Sequence, residues 1–335
     1  MTDKTQVLLT GDRPTGKLHL GHYVGSIQNR VALQDKYNQA FYMVADVQAL
    51  TDNADNPDKV RSNVMEVVLD NLACGVDPAK TTFFIQSQIP EIAELTVYFL
   101  NLVTLARLKR NPTVKDEMKQ KGYGEEVNAG FLVYPISQAA DILFCKANVV
   151  PVGEDQLPHI EQANEILHKF NSIYGEIFSK IEVPKTEVGR LVGIDGNAKM
   201  SKSLGNTINL ADSNEEIEKK VMMMYTDPNH IHVQDPGKVE GNVVFEYLDI
   251  FDPKKDEVAE LKKQYEAGGL GDVVIKKRLI GILQELITPI REKREYLAQN
   301  PKEVMDILKK GTDKAREVAR ETLREVKQAM KIDYF

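Results

Sequence analysis

Two stretches of this chain are built from residue types that hold phosphate. Near the N-terminus runs Gly11-Asp12-Arg13-Pro14-Thr15-Gly16-Lys17-Leu18-His19-Leu20-Gly21-His22. Glycines let a backbone approach a nucleotide closely, and the unpaired N–H groups at a helix start attract anions. His19 and His22 are three apart, so on a helical turn they share a face and can donate to phosphate oxygens. No Gly-Lys-Ser/Thr follows, so this is not a Walker loop. Taken alone, the run reads equally as a Gly/Pro turn with two surface histidines. The second stretch is Lys199-Met200-Ser201-Lys202-Ser203. Two lysines with small hydroxyls between them suit a clamp on a polyphosphate, where lysine acts as a point charge. Alone, such a stretch is more often a solvated linker than a clamp.

A third constellation lies on an apolar run, Gly130–Phe144, that reads as a helix. Tyr134, Gln138 and Asp141 fall there at i, i+4 and i+7, on one face. A carboxylate on an apolar helix is costly to bury without a partner. Asp141 therefore either meets a ligand's N–H donor or pairs with a structural Lys or Arg.

The elements that must carry these groups alternate. Gln6–Thr10, Ala40–Val47 and Thr81–Ile85 read as strands, with helices over Gly21–Tyr37 and Pro57–Gly75 between them. That order predicts an α/β class: a Rossmann-like, doubly wound parallel sheet. From Ile89 to Cys145 the pattern is mostly helical, interrupted by a polar, basic stretch over Lys109–Gly124. Ala147–Val152 reads as a further strand and Glu154–Phe170 as a helix. After Ala211 the strand signal fades. Asn214–Tyr225, Lys254–Ala267, Asp272–Ala298 and Pro301–Met330 read as amphipathic helices. We expect a catalytic domain over 1–196 with a helical insertion at about 89–145, a loop over 197–210, and an all-helical C-terminal domain over 211–335.

The chain has 335 residues, enough for roughly two domains. Its net charge of −7 argues against coating nucleic acid by bulk electrostatics, though not against a local site. Two cysteines far apart give no disulfide framework and no structural metal motif. A polar N-terminus and no long apolar run predict a soluble, cytoplasmic protein without a membrane span. There is no tryptophan at all.

Together, the His-Leu-Gly-His and Lys-Met-Ser-Lys-Ser elements resemble the signature pair of the class I aminoacyl-tRNA synthetases. Tyr134-Pro135, Gln138-Ala139-Ala140-Asp141-Ile142 and Pro151-Val152-Gly153-Glu154-Asp155-Gln156 resemble the tryptophanyl subgroup. The likeness runs from Leu9 to the C-terminal helices. It implies formation of an aminoacyl-adenylate from L-tryptophan, ATP and Mg²⁺, with no metal site on the protein itself, then transfer to tRNA(Trp). It also implies a homodimer joined through the helices from Ile89 to Phe144, and C-terminal helices that bind the anticodon region. Such chemistry needs positioning and charge stabilisation, with no protein nucleophile.

By the same resemblance, Arg13, Pro14 and Thr15 line the ATP site. Gly21 and His22 pack under adenine and ribose, and His19 approaches the phosphates. Gly153, Glu154 and Asp155 contact the ribose and Leu191 the adenine. Lys199, Met200, Ser201, Lys202 and Ser203 close on pyrophosphate. Asp141 accepts from the indole N–H, a donor-only group, and Tyr134 and Gln156 hold the α-amino and carboxylate groups. Arg13 stands where Gln is common, and Gln48 where His is common. Tyr-x-x-x-Gln-x-x-Asp, with Gln138, is also a tyrosyl pattern. Leu9, apolar where tyrosyl enzymes place a tyrosine, favours the indole. Alternatives are a tyrosine ligase, a small-molecule nucleotidyltransferase on the same scaffold, and a non-catalytic paralogue.

Overall fold

The computed structural model describes residues 5–120, 122, 127–184, 191–197 and 199–335. In chain order these form β1 (Val7–Asp12), α1 (Leu20–His22), a π-helical turn (Tyr23–Ile27) and α2 (Gln28–Leu33). Next come β2 (Gln39–Val44), α3 (Asp46–Asn53), α4 (Pro57–Ala73) and β3 (Thr81–Ile85). Then follow α5 (Pro90–Leu100), α6 (Leu105–Lys109), α7 (Pro112–Gln120), α8 (Ala129–Leu143) and α9 (Leu157–Tyr174). The remainder is helical: α10 (Asn214–Met222), α11 (Val243–Phe251), α12 (Lys255–Ala267), α13 (Asp272–Gln299) and α14 (Pro301–Met330).

These elements gather into two compact units. The first comprises Met1–Gly16, Gln28–Glu187 and Asn300–Phe335; the second comprises Lys17–Ile27 and Val188–Gln299.

In the first unit β1, β2 and β3 are parallel, with β2 in the middle. On the other side of β1, Leu8 bridges Val149, and Val149 bridges Glu182, both in parallel. The ladder therefore grows from β1 in both directions. The order of a doubly wound sheet reverses there, and such sheets bind ligands at that point, beyond the strands' C-terminal ends. Ala40 to Val44 are buried without alternation, as expected for a strand covered on both faces. The expected strand over Ala147–Val152 shrinks to a single bridging residue, Val149. Lys146 before it takes a left-handed φ of 52°, and Pro151 after it has no N–H to give the ladder.

At the end of β1 sits a buried ion pair. The Arg30 guanidinium of α2 donates to both oxygens of Asp12, one bond at 2.8 Å, to the Gly11 carbonyl at 3.1 Å and to Asn71 Oδ1 at 2.8 Å. Tyr42 Oη and Asn71 Nδ2 also donate to Asp12, at 3.0 and 3.1 Å. Burial alone would lower the arginine's pKa, but Asp12 reverses this and leaves it raised.

The expected division places 211–335 together, but α14 packs with the sheet of the first unit. Its inner face carries Gly311, Ala315 and Ala319 one turn apart, all small, with Leu308 and Val326 at either end. The small stripe lets the helix backbone lie directly on β3. A Cβ built on Gly311 would stand 1.9 Å from the Phe83 carbonyl oxygen. Thr312 Oγ1 accepts from the Ile85 N–H at 3.3 Å, so the helix serves the edge that a further strand would otherwise serve. Arg320 pairs with Glu91 at 3.3 Å and Lys327 with Glu94 at 2.6 Å, fixing α14 along α5.

The second unit is helical, with α13 against α10 and α11. A Ser213/Glu216 capping box starts α10. The sequence reading contained no helix at α11. There Asn242 caps the apolar run by accepting from the Val244 N–H at 3.1 Å. The predicted single helix Gly21–Tyr37 is instead α1, the π turn and α2, ending at Leu33.

Gly311→Ala tests the packing of α14. Alanine is intrinsically better in a helix by about 1 kcal/mol, whereas overpacking costs about 1–3 kcal/mol. Because the obstructing atom is backbone, the clash should win. We expect a lower urea midpoint by equilibrium unfolding.

Candidate active site

In the first unit Asp141 lies on α8 at 1% exposure. No cation pairs with it among the described residues. Two amides do: Gln86 Nε2 donates to Oδ1 at 2.7 Å and Gln48 Nε2 to Oδ2 at 3.3 Å. The Gln48 backbone N–H donates to Gln86 Oε1 at 3.1 Å, which orients the Gln86 amide with its NH₂ toward the carboxylate. Burial pushes Asp141 up to about 7, with Asp46 adding to the rise and the two amides opposing it. A carboxylate has about four acceptor positions, so acceptor capacity remains after two donors. Among the described residues, amides and not a structural Lys or Arg hold this residue.

Tyr134 lies about two helical turns away on α8. Its Oη stands 3.1 Å from Glu117 Oε2 on α7 and 3.1 Å from His159 Nε2 on α9. Its ring packs edge-on against Phe131 and His159. Burial first, then Glu117, raises the phenol, and burial lowers His159 to about 4, so the imidazole is neutral. Gln138 is half-buried, with no hydrogen-bond partner among the described residues. Gln156 Nε2 donates to Asp155 Oδ2 at 3.1 Å just before α9. Leu9 is buried in the core cluster that also contains Phe41, Ala139 and Ala140.

Arg13 is half-exposed and pairs with Asp52 of α3 at 3.0 Å. Pro14 is buried and Thr15 exposed, and the Thr15 N–H turns back to the Arg13 carbonyl at 2.8 Å. Gly16 has a φ of 121°, a conformation that suits glycine. Gly153 leads exposed Glu154 and Asp155 into the short turn before α9, and a Cβ on Gly153 would stand 2.8 Å from Asp155 Oδ1.

In the second unit His19 caps α1. Its Nδ1 accepts from the Gly21 N–H at 3.1 Å, and His22 Nδ1 accepts from the His19 N–H at 3.3 Å. The rings lie 3.9 Å apart. Burial lowers His19 to about 2, with His22, Lys202 and Lys199 all opposing a positive charge. His19 is thus neutral. With Nδ1 accepting, its proton is on Nε2, which makes that atom a donor. Backbone bonds from Leu20 N to Ile208 O and from Leu210 N to Leu18 O pin the segment.

The lysine loop begins in a small hairpin, where Val192 bridges Lys199 and Met200 N donates to Leu191 O at 3.0 Å. Leu191 and Met200 are buried, and Lys199 is exposed. Met200 Sδ lies 3.4 Å from the Gly21 nitrogen, so the loop and the histidine turn meet within this unit. Lys202 opens a 3₁₀ turn, Lys202–Leu204. The side chain of Ser203 lies outside the described residues. Asn206, 3% exposed, braces the loop from beneath. Its Oδ1 accepts from Ser201 N at 2.8 Å and its Nδ2 donates to Asp195 at 3.0 Å. A Cβ on Gly193 would stand 2.0 Å from that Nδ2. Tyr247 of α11 donates to the Val192 carbonyl at 2.6 Å.

Sequence reasoning missed Gln86, Glu117, His159 and Asn206. Amides carry no titration signal, and the partners are distant in sequence, 55 positions for Gln86 and Asp141. Among the described residues no group of three or more His, Cys, Asp or Glu could hold a metal ion. No helix there is long and apolar enough to cross a membrane.

The family model of the class I tRNA synthetases (W and Y) matches residues 1–288. The chain is 58% identical over 334 residues to a tryptophan–tRNA ligase of Clostridium longisporum, covering 98% of each. It is 59% identical over 336 residues to one of Lactococcus lactis, again covering 98% of each. A crystal structure of tryptophanyl-tRNA synthetase from Campylobacter jejuni, complexed with ADP and tryptophan, superimposes with a TM-score of 0.86 at 33% identity. That match covers 97% of this chain and all of that one.

Asp141 leaves a signature in stability. Its pKa is raised on folding, so it takes up a proton between the unfolded value and about 7, and stability falls as pH rises through that window. His19 and His159 act oppositely, costing stability as pH falls below the unfolded histidine value. The difference between parent and Asp141→Asn isolates the carboxylate. Plotted as parent minus variant, stability should decline from about pH 4 to about pH 7 in denaturant titrations. A flat difference would contradict a buried, raised carboxyl.

Proposed function

The chain belongs to the class I tRNA synthetases (W and Y), and from that premise we propose how it works. It activates L-tryptophan with ATP, releasing pyrophosphate, and passes the acyl group to tRNA(Trp). The observation that carries the reading is Asp141: a buried carboxylate held, among the described residues, by amides alone, with acceptor capacity to spare. An indole N–H satisfies it. A side chain without that donor leaves a desolvated carboxylate unmet, and this is how a polar pocket discriminates. Leu9 supplies apolar surface where a phenol would need a polar partner.

In the second unit the neutral His19, donating from Nε2, takes the phosphates. Lys199 and Lys202 with Ser201 and Ser203 take the pyrophosphate, and Met200 anchors the loop. Gly21, His22 and Leu191 take adenine and ribose. In the first unit Arg13, Pro14 and Thr15 add to ATP binding, and Gly153, Glu154 and Asp155 meet the ribose. Tyr134 and Gln156 hold the backbone groups of tryptophan, with Gln138 beside them on α8. Mg²⁺ arrives with ATP as part of the substrate.

The tryptophan carboxylate attacks the α-phosphorus and the bond to pyrophosphate breaks. The 3′-terminal adenosine hydroxyl of tRNA then attacks the acyl carbon and AMP leaves. No protein nucleophile enters either step. The lysines stabilise charge growing on the leaving group, a contribution made in the transition state.

We further place the protein in the cytoplasm, as a homodimer. Val97, Leu100 and Leu105 are exposed on α5 and α6, within the expected interface. The helices after residue 211 meet the anticodon end, except α14, whose inner face is taken by β3.

Pyrophosphate exchange tests the reaction. Exchange should depend on tryptophan and not on tyrosine; the reverse would overturn the assignment. Lys202→Ala should lower exchange sharply while tryptophan binding survives. The chain has no tryptophan of its own, so the indole emission of bound substrate reports binding directly. A titration flat by both fluorescence and calorimetry would contradict the reading.

A further inference from the structure

We propose that Glu117 is the anionic anchor for the substrate's α-ammonium group and so selects amino acids over other indole compounds. The proposal rests on the reading that tryptophan occupies the pocket at Tyr134. It begins from the proton count at Tyr134 Oη, which stands 3.1 Å from both Glu117 Oε2 and His159 Nε2. A carboxylate only accepts, so the phenol proton goes to Glu117. The His159 atom facing the phenol oxygen must then carry hydrogen and donate. His159 is neutral, so its Nδ1 is a bare lone pair, and that atom is buried with no partner. The tautomer and the direction of both hydrogen bonds follow from one constraint.

With its proton committed, Tyr134 offers a substrate ammonium only a remaining lone pair. The full charge sits one bond further, on Glu117. The other charges felt by Tyr134 are Arg13 and Asp52, which neutralise one another as an ion pair at 3.0 Å. No cation pairs with Glu117 among the described residues, where its printed partner is the Tyr134 hydroxyl. An arriving ammonium supplies the missing partner, and a charge-assisted hydrogen bond is stronger than a neutral one.

The rival account is that Glu117 merely ties α7 to α8. Glu117→Gln separates the two, because glutamine still accepts from Tyr134 but carries no charge. The experiment titrates tryptophan and 3-indolepropionate, which lacks the ammonium, into parent and variant, with thermal melts as the folding control. We expect Glu117→Gln to lose tryptophan affinity by about ten- to a hundredfold while 3-indolepropionate binds unchanged. In pyrophosphate exchange KM for tryptophan should rise with kcat nearly constant, and Glu117→Asp should recover part of the loss. Unchanged tryptophan affinity, or equal losses for both ligands, overturns the anchor. A parent that binds neither ligand overturns the pocket reading itself, and the anchor with it.

Discussion

The Asp12–Arg30 pair is the constraint around which the first unit is arranged. A guanidinium at 5% exposure survives only if nearly every donor is met. Asp12, Gly11 and Asn71 meet those on the two terminal nitrogens, leaving Nε without a partner among the described residues, and Tyr42 adds its hydroxyl to the same carboxylate. One charge pair therefore binds β1, α2, β2 and α4 at the end of the first strand. The run Arg13–Gly16 starts on the next residue and has a rigid base. Replacing the pair by apolar residues would not obviously weaken the fold. What the pair specifies is where the strand ends.

A similar economy governs Asp141 and Tyr134. Both are polar groups on a largely apolar helix, and each is held by partners that leave part of its capacity unused. Amides hold Asp141 and cannot neutralise it, so the cost of burial stays stored in the carboxylate. Glu117 and His159 hold Tyr134, and among the described residues no cation pairs with Glu117. Preorganised groups of this kind act because solvent has already been removed from them.

The sequence was legible where the physics is local. Thr81–Ile85 and Pro301–Met330 match the observed β3 and α14 residue for residue, since a short β-rich run and a long amphipathic one are self-declaring. The glycine–histidine and lysine runs stand out in the sequence by residue type alone. Legibility failed where a distant partner decides. VVFEYLDIF looks like no amphipathic helix because α11 is buried on most sides. The Gly21–Tyr37 pattern does not reveal a π turn, which adds a residue to one turn without altering composition. The division at residue 211 failed for α14 because a small-residue face says that something will pack closely, not that it will be β3.

Among the described residues, Ile85 and the hydroxyl that serves it are 227 positions apart. The first unit draws on three separate lengths of chain, the last beginning at Asn300. During synthesis the edge of β3 therefore leaves the ribosome long before the helix that covers it. Most of the second unit, a nearly continuous segment, emerges in the interval. The nascent protein carries an exposed strand edge throughout, a state open to mispairing. A chain halted near residue 300 holds all three strands but not the helix that covers β3.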